Sequence, residues 1–186
     1  MARRKSTQEL LAEIATQLPD NSIGAITPAV LRGVLNDIVM AFQPAYGYLQ
    51  QSSGVVLTLG TTPTQVPFNT PFTSDATQIG ATGGVTANLA PVNAGATAFQ
   101  FSGDIEASNG RFITFTLYKN DVPTTWRVTG NGAGAGNPIA VAFSAIDYAD
   151  PAAVYSLWAS AEVAGTSVTF SNAAFLASVE PVNSYV

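Results

Sequence analysis

The sequence predicts a mainly β protein, an antiparallel jelly-roll sandwich preceded by an N-terminal α-helical hairpin. Residues 55–186 hold short runs of β-branched and aromatic residues separated by Gly, Pro and Asn, the spacing of a sandwich with about eight to ten strands. Residues 1–44 instead carry apolar residues at helical spacing behind two helix-start signals. We therefore divide the chain into a helical segment at 1–44, a linker at 45–54 and a jelly-roll β-domain at 55–186.

The two helices are predicted from their caps. Ser6-Thr7-Gln8-Glu9 is a capping-box sequence, in which the Ser hydroxyl and the Glu carboxylate satisfy backbone donors at a helix start. Thr27 with Pro28 gives an N-cap followed by proline at the first helical position. The second helix should end at about Phe42, because Pro44 cannot continue it.

A heptad-type seam runs along the second helix and is formed by Leu31, Leu35, Ile38 and Phe42. The first helix can cover one side of this apolar surface, so something else must cover the other. One interpretation packs the hairpin on its own β-domain. The other has the second helix associate with its own copies around a threefold axis. These four residues are our candidate anchor and oligomer interface.

The β-domain should be organised around a strand at residues 111–119. Ile113, Phe115 and Leu117 fall on one face, and the other face mixes aromatic and hydroxyl side chains. Asn109-Gly110 before it and Asn120-Asp121 after it are both hairpin signals. The sequence thus predicts a meander, with partner strands at 98–106 and 124–129.

Low charge predicts self-association. Only 10% of the residues are charged while 47% are hydrophobic, and a monomer with so little charge would not keep its surface well hydrated. Phe112 and Tyr118 should be half exposed on the outer face of the central strand. We therefore expect a homotrimer and name these two residues as the candidate trimer interface of the β-domain.

Several classes of function are excluded by composition. The chain has no Cys and no His, which removes disulfides, thiolate or imidazole metal sites and Cys or His catalysis. Asp104 and Glu106 share a strand face and resemble a calcium or glycosidase pair, but they also fit the solvated end of a hairpin. Trp126 and Trp158 fit a sugar platform or the core. We expect no catalytic residues, no metal, no cofactor and no enzyme activity.

Nucleic acid and membranes are not expected partners. Residues 45–186 carry Arg111, Lys119 and Arg127 against eight acids, a balance that does not favour a phosphate backbone. No apolar run reaches membrane-spanning length. Three basic residues near the start, Arg3, Arg4 and Lys5, are candidate contacts to a capsid protein.

The stretch from Leu18 to Val39, LPDNSIGAITPAVLRGVLNDIV, resembles a module found near the N-termini of many tailed-bacteriophage structural proteins. The remainder is similar in pattern to the tumour-necrosis-factor-like jelly rolls that trimerise in phage fibres and decoration proteins. In this resemblance Gly165 to Val182 corresponds to the final hairpin of such domains.

The resemblance implies a virion component, made in the bacterial cytoplasm. Our first hypothesis is a trimeric capsid decoration, cement or short head-fibre protein that attaches to the capsid through its helical segment. The alternative is a tail fibre, tail adaptor or receptor-binding protein. That alternative adds phage tail proteins and a host-surface glycan as candidate partners.

Overall fold

A computed structural model describes residues 7–17, 27–42, 44–52, 54–76, 79–92, 95–132, 134, 137–150 and 153–179. Within these ranges two helices precede a sandwich of two antiparallel sheets, so the predicted fold class is confirmed. The helices are α1 (Thr7–Gln17) and α2 (Pro28–Phe42), and the strands are β1 (Ala45–Gln51), β2 (Val55–Leu59), β3 (Thr64–Gln65), β4 (Thr70–Thr73), β5 (Ile79–Thr82), β6 (Asn88–Pro91), β7 (Gly95–Ala107), β8 (Phe112–Lys119), β9 (Val122–Asn131), β10 (Ile139–Ala149), β11 (Tyr155–Ala161) and β12 (Thr166–Val179).

The strands form two sheets, which we call sheet 1 and sheet 2. Sheet 1 has the order β10-β7-β12-β1-β4, and β2 pairs with the first part of β12. Sheet 2 has the order β5-β6-β11-β8-β9, and β3 pairs with β11. Neighbouring strands in each order are antiparallel.

Aromatic rings from both sheets make the centre of the core. Phe99 of sheet 1 lies 4.3 Å from Tyr155 of sheet 2, and Phe101 lies 5.0 Å from Phe115, measured between ring centroids. These four side chains are fully buried. The apolar face predicted for the central strand is confirmed, because the side chains at positions 113, 115 and 117 are also fully buried.

The turn after the central strand is a hairpin, as predicted. Asn120 and Asp121 have φ values of 52° and 61°, the left-handed conformation that a two-residue hairpin turn requires. Lys119 then pairs with Val122. The Asn120 side-chain oxygen also accepts a hydrogen bond of 2.8 Å from the Val154 amide, which ties the turn to the segment before β11.

The predicted hairpin at Asn109-Gly110 is wrong. Residues Ser108–Gly110 form a 3₁₀ turn that carries the chain from β7 in sheet 1 to β8 in sheet 2. β7 pairs with β10 and β12 instead of β8. Gly110 does adopt a positive φ of 61°, so the sequence signal marks a real turn, but such a turn can also join two sheets.

The segment predicted as a linker also requires correction, because residues 45–51 form β1. This strand lies inside sheet 1 between β12 and β4. Its buried positions are Ala45, Gly47, Leu49 and Gln51. A Cβ at Gly47 would lie 3.3 Å from the Ile79 side chain. Gly47 suits the inner face because the opposing sheet approaches closely there, and Gly47 and the polar Gln51 together hide the usual apolar alternation of a strand.

The predicted final hairpin between residues 165 and 182 is a single strand over its described part. β12 runs from Thr166 to Val179, and its register with β7 shifts between Ser171 and Ala174. Asn172, inside this bulge, has φ 49°. The bulge bends one long strand at the place where the sequence pattern predicts a break.

The helical segment follows the predicted caps where it is described. The Val30 amide donates to the Thr27 hydroxyl at 3.3 Å, which confirms the N-cap of α2. The capping box predicted at Ser6 lies outside the described residues. α1 and α2 pack most extensively against each other, and Leu10 and Val34 are buried.

Close packing at Gly132 gives a test of the turn between the sheets. A Cβ there would lie 2.1 Å from the Ala107 Cβ. We expect Gly132→Ala to lower the free energy of unfolding by about 1–3 kcal/mol through overpacking. Gly60→Ala is the control, because its nearest contact would be 3.8 Å. Urea unfolding gives the free energy of unfolding of both variants. Equal values would show that Gly132 is not closely packed against Ala107.

Candidate interaction surface

The structure leaves part of the predicted helical seam uncovered. α1 covers the Val34 side of α2. Leu31 and Leu35 remain 44% and 50% exposed, and Ile38 is half-buried. The side chain of Phe42 lies outside the described part of the chain. Two leucines on adjacent turns are thus available to a partner, and the anchor role stays a prediction.

The candidate capsid contacts Arg3, Arg4 and Lys5 lie outside the described residues. Their role therefore stays a prediction from the sequence. Arg32 is the basic residue of the helical segment that is described, and it is exposed on α2.

The two predicted trimer-interface residues differ in exposure. Phe112 is 48% exposed, as expected. Tyr118 is 9% exposed, so the expectation that it would be half exposed is wrong. Its ring stacks on Trp158, with centroids 4.7 Å apart. Trp158 reaches diagonally from the neighbouring strand β11 and covers it, and a diagonal contact cannot be read from residue spacing within one strand.

Another exposed apolar surface lies on the outer face of sheet 1. Its residues follow from the register: one cross-strand row is Tyr46, Ser178, Ala98 and Ile146, and the next is Phe72, Tyr48, Leu176, Gln100 and Ser144. We call these two rows the sheet 1 face. Ile146 is 67% exposed. Such apolar side chains on a solvent-facing sheet are typical of a contact surface.

An aromatic cluster fixes one edge of the sheet 1 face. The Phe72 ring on β4 stacks on Tyr48 at 5.0 Å and on Tyr46 at 6.1 Å. The Ser74 hydroxyl accepts a hydrogen bond of 2.9 Å from the Tyr46 amide and holds the end of β4 against β1. Sequence reasoning missed this cluster because it assigned both tyrosines to a linker.

Charge is nearly absent from the strands of sheet 1. None of these strands contains Lys or Arg, and their acids are Asp104, Glu106 and Asp147. Asp104 pairs with Ala140 and Ser171, and so lies at the end of the sheet away from Tyr46. The sheet 1 face therefore has no charged residue, and its free energy of burial includes no charge desolvation.

A polar cluster closes one end of the sandwich. Lys119 Nζ lies 3.1 Å from Asp147 Oδ2 and 3.2 Å from Asp150 Oδ2. It also donates to the Tyr148 carbonyl at 3.2 Å. The buried Tyr155 hydroxyl donates to Asp147 Oδ2 at 2.6 Å. Lys119 and Tyr155 belong to sheet 2 and Asp147 to sheet 1, so the cluster joins the sheets.

The ionisation of this cluster reflects its pairing. Burial acts to lower the pKa of Lys119, but hydrogen bonds to Asp147 and Asp150 outweigh it and the pKa is raised. Burial acts to raise the pKa of Asp147, but hydrogen bonds from Tyr155 and Lys119 outweigh it and the pKa is lowered. Burial and the bond to Asp147 raise the pKa of Tyr155. Each group is stabilised in its resting protonation state, which suits a structural link between the sheets.

The other candidate sites considered in the sequence are a metal site, the Asp104–Glu106 pair and a sugar platform. Among the described residues no group of three or more acids could hold a metal ion. Asp104 and Glu106 share the outer face of β7, as predicted. Of the two Trp residues weighed as a sugar platform, Trp126 is 41% exposed on β9 and Trp158 stacks on Tyr118. No helix in the described part of the chain has the length and apolar character to cross a membrane.

Comparison with known proteins bears on the fold. No protein-family model matches the sequence, and no curated protein matches it either. Among solved structures, Eiger TNF from S. frugiperda superposes with a TM-score of 0.51 and 12% identity, covering 73% of this chain and 90% of that chain. The fold is a tumour-necrosis-factor-like jelly roll. Murine APRIL, crystallised at pH 5.0, gives a TM-score of 0.53 and 9% identity, covering 74% of this chain and 99% of that chain. At these identities the likeness concerns the fold alone, and it confirms the jelly roll expected from the sequence.

Removing one carboxylate tests the link between the sheets. We expect Asp147→Asn to lower the free energy of unfolding at pH 7 by about 1–2 kcal/mol, because charge-assisted hydrogen bonds are lost at a partly exposed site. The pKa of Asp147 in the folded protein is lower than the ordinary value of 3.8. The stabilisation from its charge is therefore present above pH 3.8 and is lost as the pH falls through the pKa of the folded state. Urea unfolding of both proteins from pH 7 to about pH 2 should show the difference shrinking in acid.

Asp121→Asn is the matched control, because Asp121 lies exposed in the adjacent turn, where its positive φ suits Asn equally well. It should leave stability unchanged within about 0.5 kcal/mol. The wild-type protein and Asp147→Asn could instead differ in free energy of unfolding by the same amount throughout the acid range. That result would show that the carboxylate charge does not stabilise the fold.

Proposed function

We propose that the chain is a structural component of a bacteriophage virion, a trimeric capsid decoration or short head-fibre protein attached through its helical segment. The observation that carries the proposal is a charge-free sheet 1 face next to a helical segment with exposed leucines. The resemblance of residues 18–39 to phage structural modules supplies the biological setting. The proposed role is one of binding and assembly and requires no catalysis.

The sheet 1 face is the proposed contact between copies. Tyr46, Phe72 and Ile146 expose apolar surface there, and β10 is an edge strand with few charges. The charged residue of β10 is Asp147, which is paired with Lys119, and an edge strand with so little charge is a template for unwanted pairing unless it is covered. A partner copy would cover both the face and the edge, and trimerisation is what the resemblance to tumour-necrosis-factor-like jelly rolls implies.

The helical segment is the proposed attachment. α2 ends at Phe42 and β1 begins at Ala45, so the connection is too short to separate α2 from the Tyr46 end of sheet 1. Copies that associate through the sheet 1 face would bring their α2 helices near one another. Leu31 and Leu35 would then pack between helices or against a capsid protein.

Localisation tests the proposal as a whole. In cryo-electron microscopy of intact virions of the phage that encodes the chain, we expect trimeric density of this protein on the head. Density confined to the tail would favour the tail-fibre or adaptor alternative. Absence of the protein from purified virions would contradict the virion role altogether.

A charge placed on the sheet 1 face should prevent self-association. We expect the parent chain to sediment as a trimer at micromolar concentration, and Ile146→Lys to sediment as a folded monomer. Ile146 is exposed in the single chain, so the cost to folding is within about 0.5 kcal/mol, whereas an unpaired buried charge disrupts an interface.

The control is Val85→Lys, which adds the same charge at a 79% exposed position of the loop between β5 and β6. It should remain a trimer. A monomeric parent chain, or a trimeric Ile146→Lys variant, would rule out the sheet 1 face as the contact.

The helical seam is tested separately. Leu35→Asp should leave the jelly roll folded, because Leu35 is half exposed in the single chain. It should abolish incorporation into particles, because an unpaired carboxylate buried at the attachment costs about 3–5 kcal/mol. Asn36→Asp adds the same charge at the next exposed position, away from the seam. Normal incorporation of Leu35→Asp would show that the seam is not the attachment element.

A further inference from the structure

A cross-strand row on sheet 2 has the make-up of a ligand site, and its members in order are Gln65, Trp158, Thr116 and Arg127. Trp158 pairs with Gln65 on β3 and with Thr116 on β8, and Thr116 pairs with Arg127 on β9. Cross-strand partners share one face of a sheet. Their chain neighbours Val66, Leu157 and Phe115 are buried in the core, so the row faces outward. At about 4.8 Å between strands it is about 14 Å long.

Trp158 is held in place within this row. Its indole Nε1 donates to the Ser156 hydroxyl at 2.9 Å. Its ring lies 4.7 Å from the Tyr118 ring at an interplanar angle of 20°. Tyr118 is buried while Trp158 stays partly exposed, so Trp158 is the outer ring of the stack. A ring fixed in this way binds a flat apolar surface with little further loss of side-chain entropy.

Arg127 is a cation available to a ligand. In the described part of the jelly roll, Lys119 is paired with Asp147 and Asp150, and Arg111 lies 3.9 Å from Glu162. Arg127 is exposed and has no ion-pair partner among the described residues. A free guanidinium offers a carboxylate two parallel hydrogen bonds.

The described strands of the sheet that carries Arg127 contain no acids. None of the strands of sheet 2 contains Asp or Glu, although the whole chain has a net charge of −5. Neutral hydroxyls flank the row instead: the Thr114 and Thr129 hydroxyl oxygens are 3.0 Å apart on the same face. The row thus combines the Trp158 ring, neutral hydrogen-bonding groups and one cation, Arg127, that has no ion-pair partner among the described residues.

We propose that this row binds a carboxylate-bearing saccharide, with a sugar ring stacked on Trp158 and the sugar carboxylate paired with Arg127. A nucleic acid would require several phosphate-neutralising cations, and this face has one. A stable protein interface buries about 800 Å² on each side, far more than a single row of four side chains offers. The row lies on the outer face of sheet 2, whereas the proposed contact between copies lies on sheet 1. The site therefore does not depend on the proposed trimer or virion role.

Fluorescence of Trp158 reports the binding directly. The chain has two Trp residues, so Trp126→Phe leaves Trp158 as the single reporter. In this background the probes are trigalacturonate and sialyllactose, each compared with its neutral counterpart, galactotriose and lactose. We expect at least one acidic sugar to change the Trp158 emission with a millimolar or tighter dissociation constant. Its neutral counterpart should bind at least about tenfold more weakly, the difference that about 1.4 kcal/mol of charge-assisted bonding gives.

Arg127→Gln should weaken binding of the acidic sugar at least about tenfold, whereas Arg32→Gln, which removes the same charge from α2, should change it less than about twofold. Circular dichroism checks that both variants stay folded, and calorimetry repeats the measurement without the fluorescent reporter. Failure of both acidic sugars to bind, or binding insensitive to Arg127→Gln, would overturn the proposal. Equal binding of triglutamate would also overturn it, because the row would then select an anionic group and not a saccharide.

Discussion

Contact between aromatic rings of the two sheets is the interaction on which the other features of the jelly roll depend. Phe99 and Phe101 of sheet 1 meet Tyr155 and Phe115 of sheet 2 across the core, and each ring is fully buried. Rings of this size set the spacing between sheets and dominate the apolar area removed from water. Because side chains alternate along a strand, packing these rings inward also determines which residues face outward. The uncharged face of sheet 1 and the aromatic row of sheet 2 are both consequences of that inward packing.

Tyr155 links this apolar core to the polar end of the sandwich. Its ring packs on Phe99 while its hydroxyl reaches Asp147, and Lys119 lies 5.7 Å from the ring centroid. An apolar side chain here would leave the inward-facing carboxylate with one fewer donor, which is costly for a partly buried charge. The β8–β9 turn and the segment before β11 are therefore positioned by the core and by the ion pairs together. The spacing of the sheets and the geometry of the cluster therefore depend on the same residue, Tyr155.

Local patterns in the sequence predicted local structure well and long-range pairing poorly. The N-cap of α2, the buried face of β8 and the turn at Asn120 were all predicted, because each depends on neighbouring residues. The turn at Asn109-Gly110 was predicted but its partner was not, since a positive φ at Gly110 serves a hairpin and a crossing between sheets equally. β1 was missed because Gly47 fits a closely packed inner face. The sheet 1 face unites residues from five strands and the Trp158 row unites residues from four, and only the register shows them side by side.

The position of β1 beside β12 has a consequence for the order in which the protein can be made. These strands join residues 45–51 to residues 173–179, so the middle of sheet 1 stays incomplete until almost the whole β-domain has left the ribosome. Pairing over such a sequence separation is slow and leaves strand edges open during synthesis. The helices, in contrast, need only local contacts and can form as soon as they emerge. A nascent chain therefore presents its leucine seam before it has a jelly roll, and nearby chains on one messenger RNA could begin to associate at the helices first.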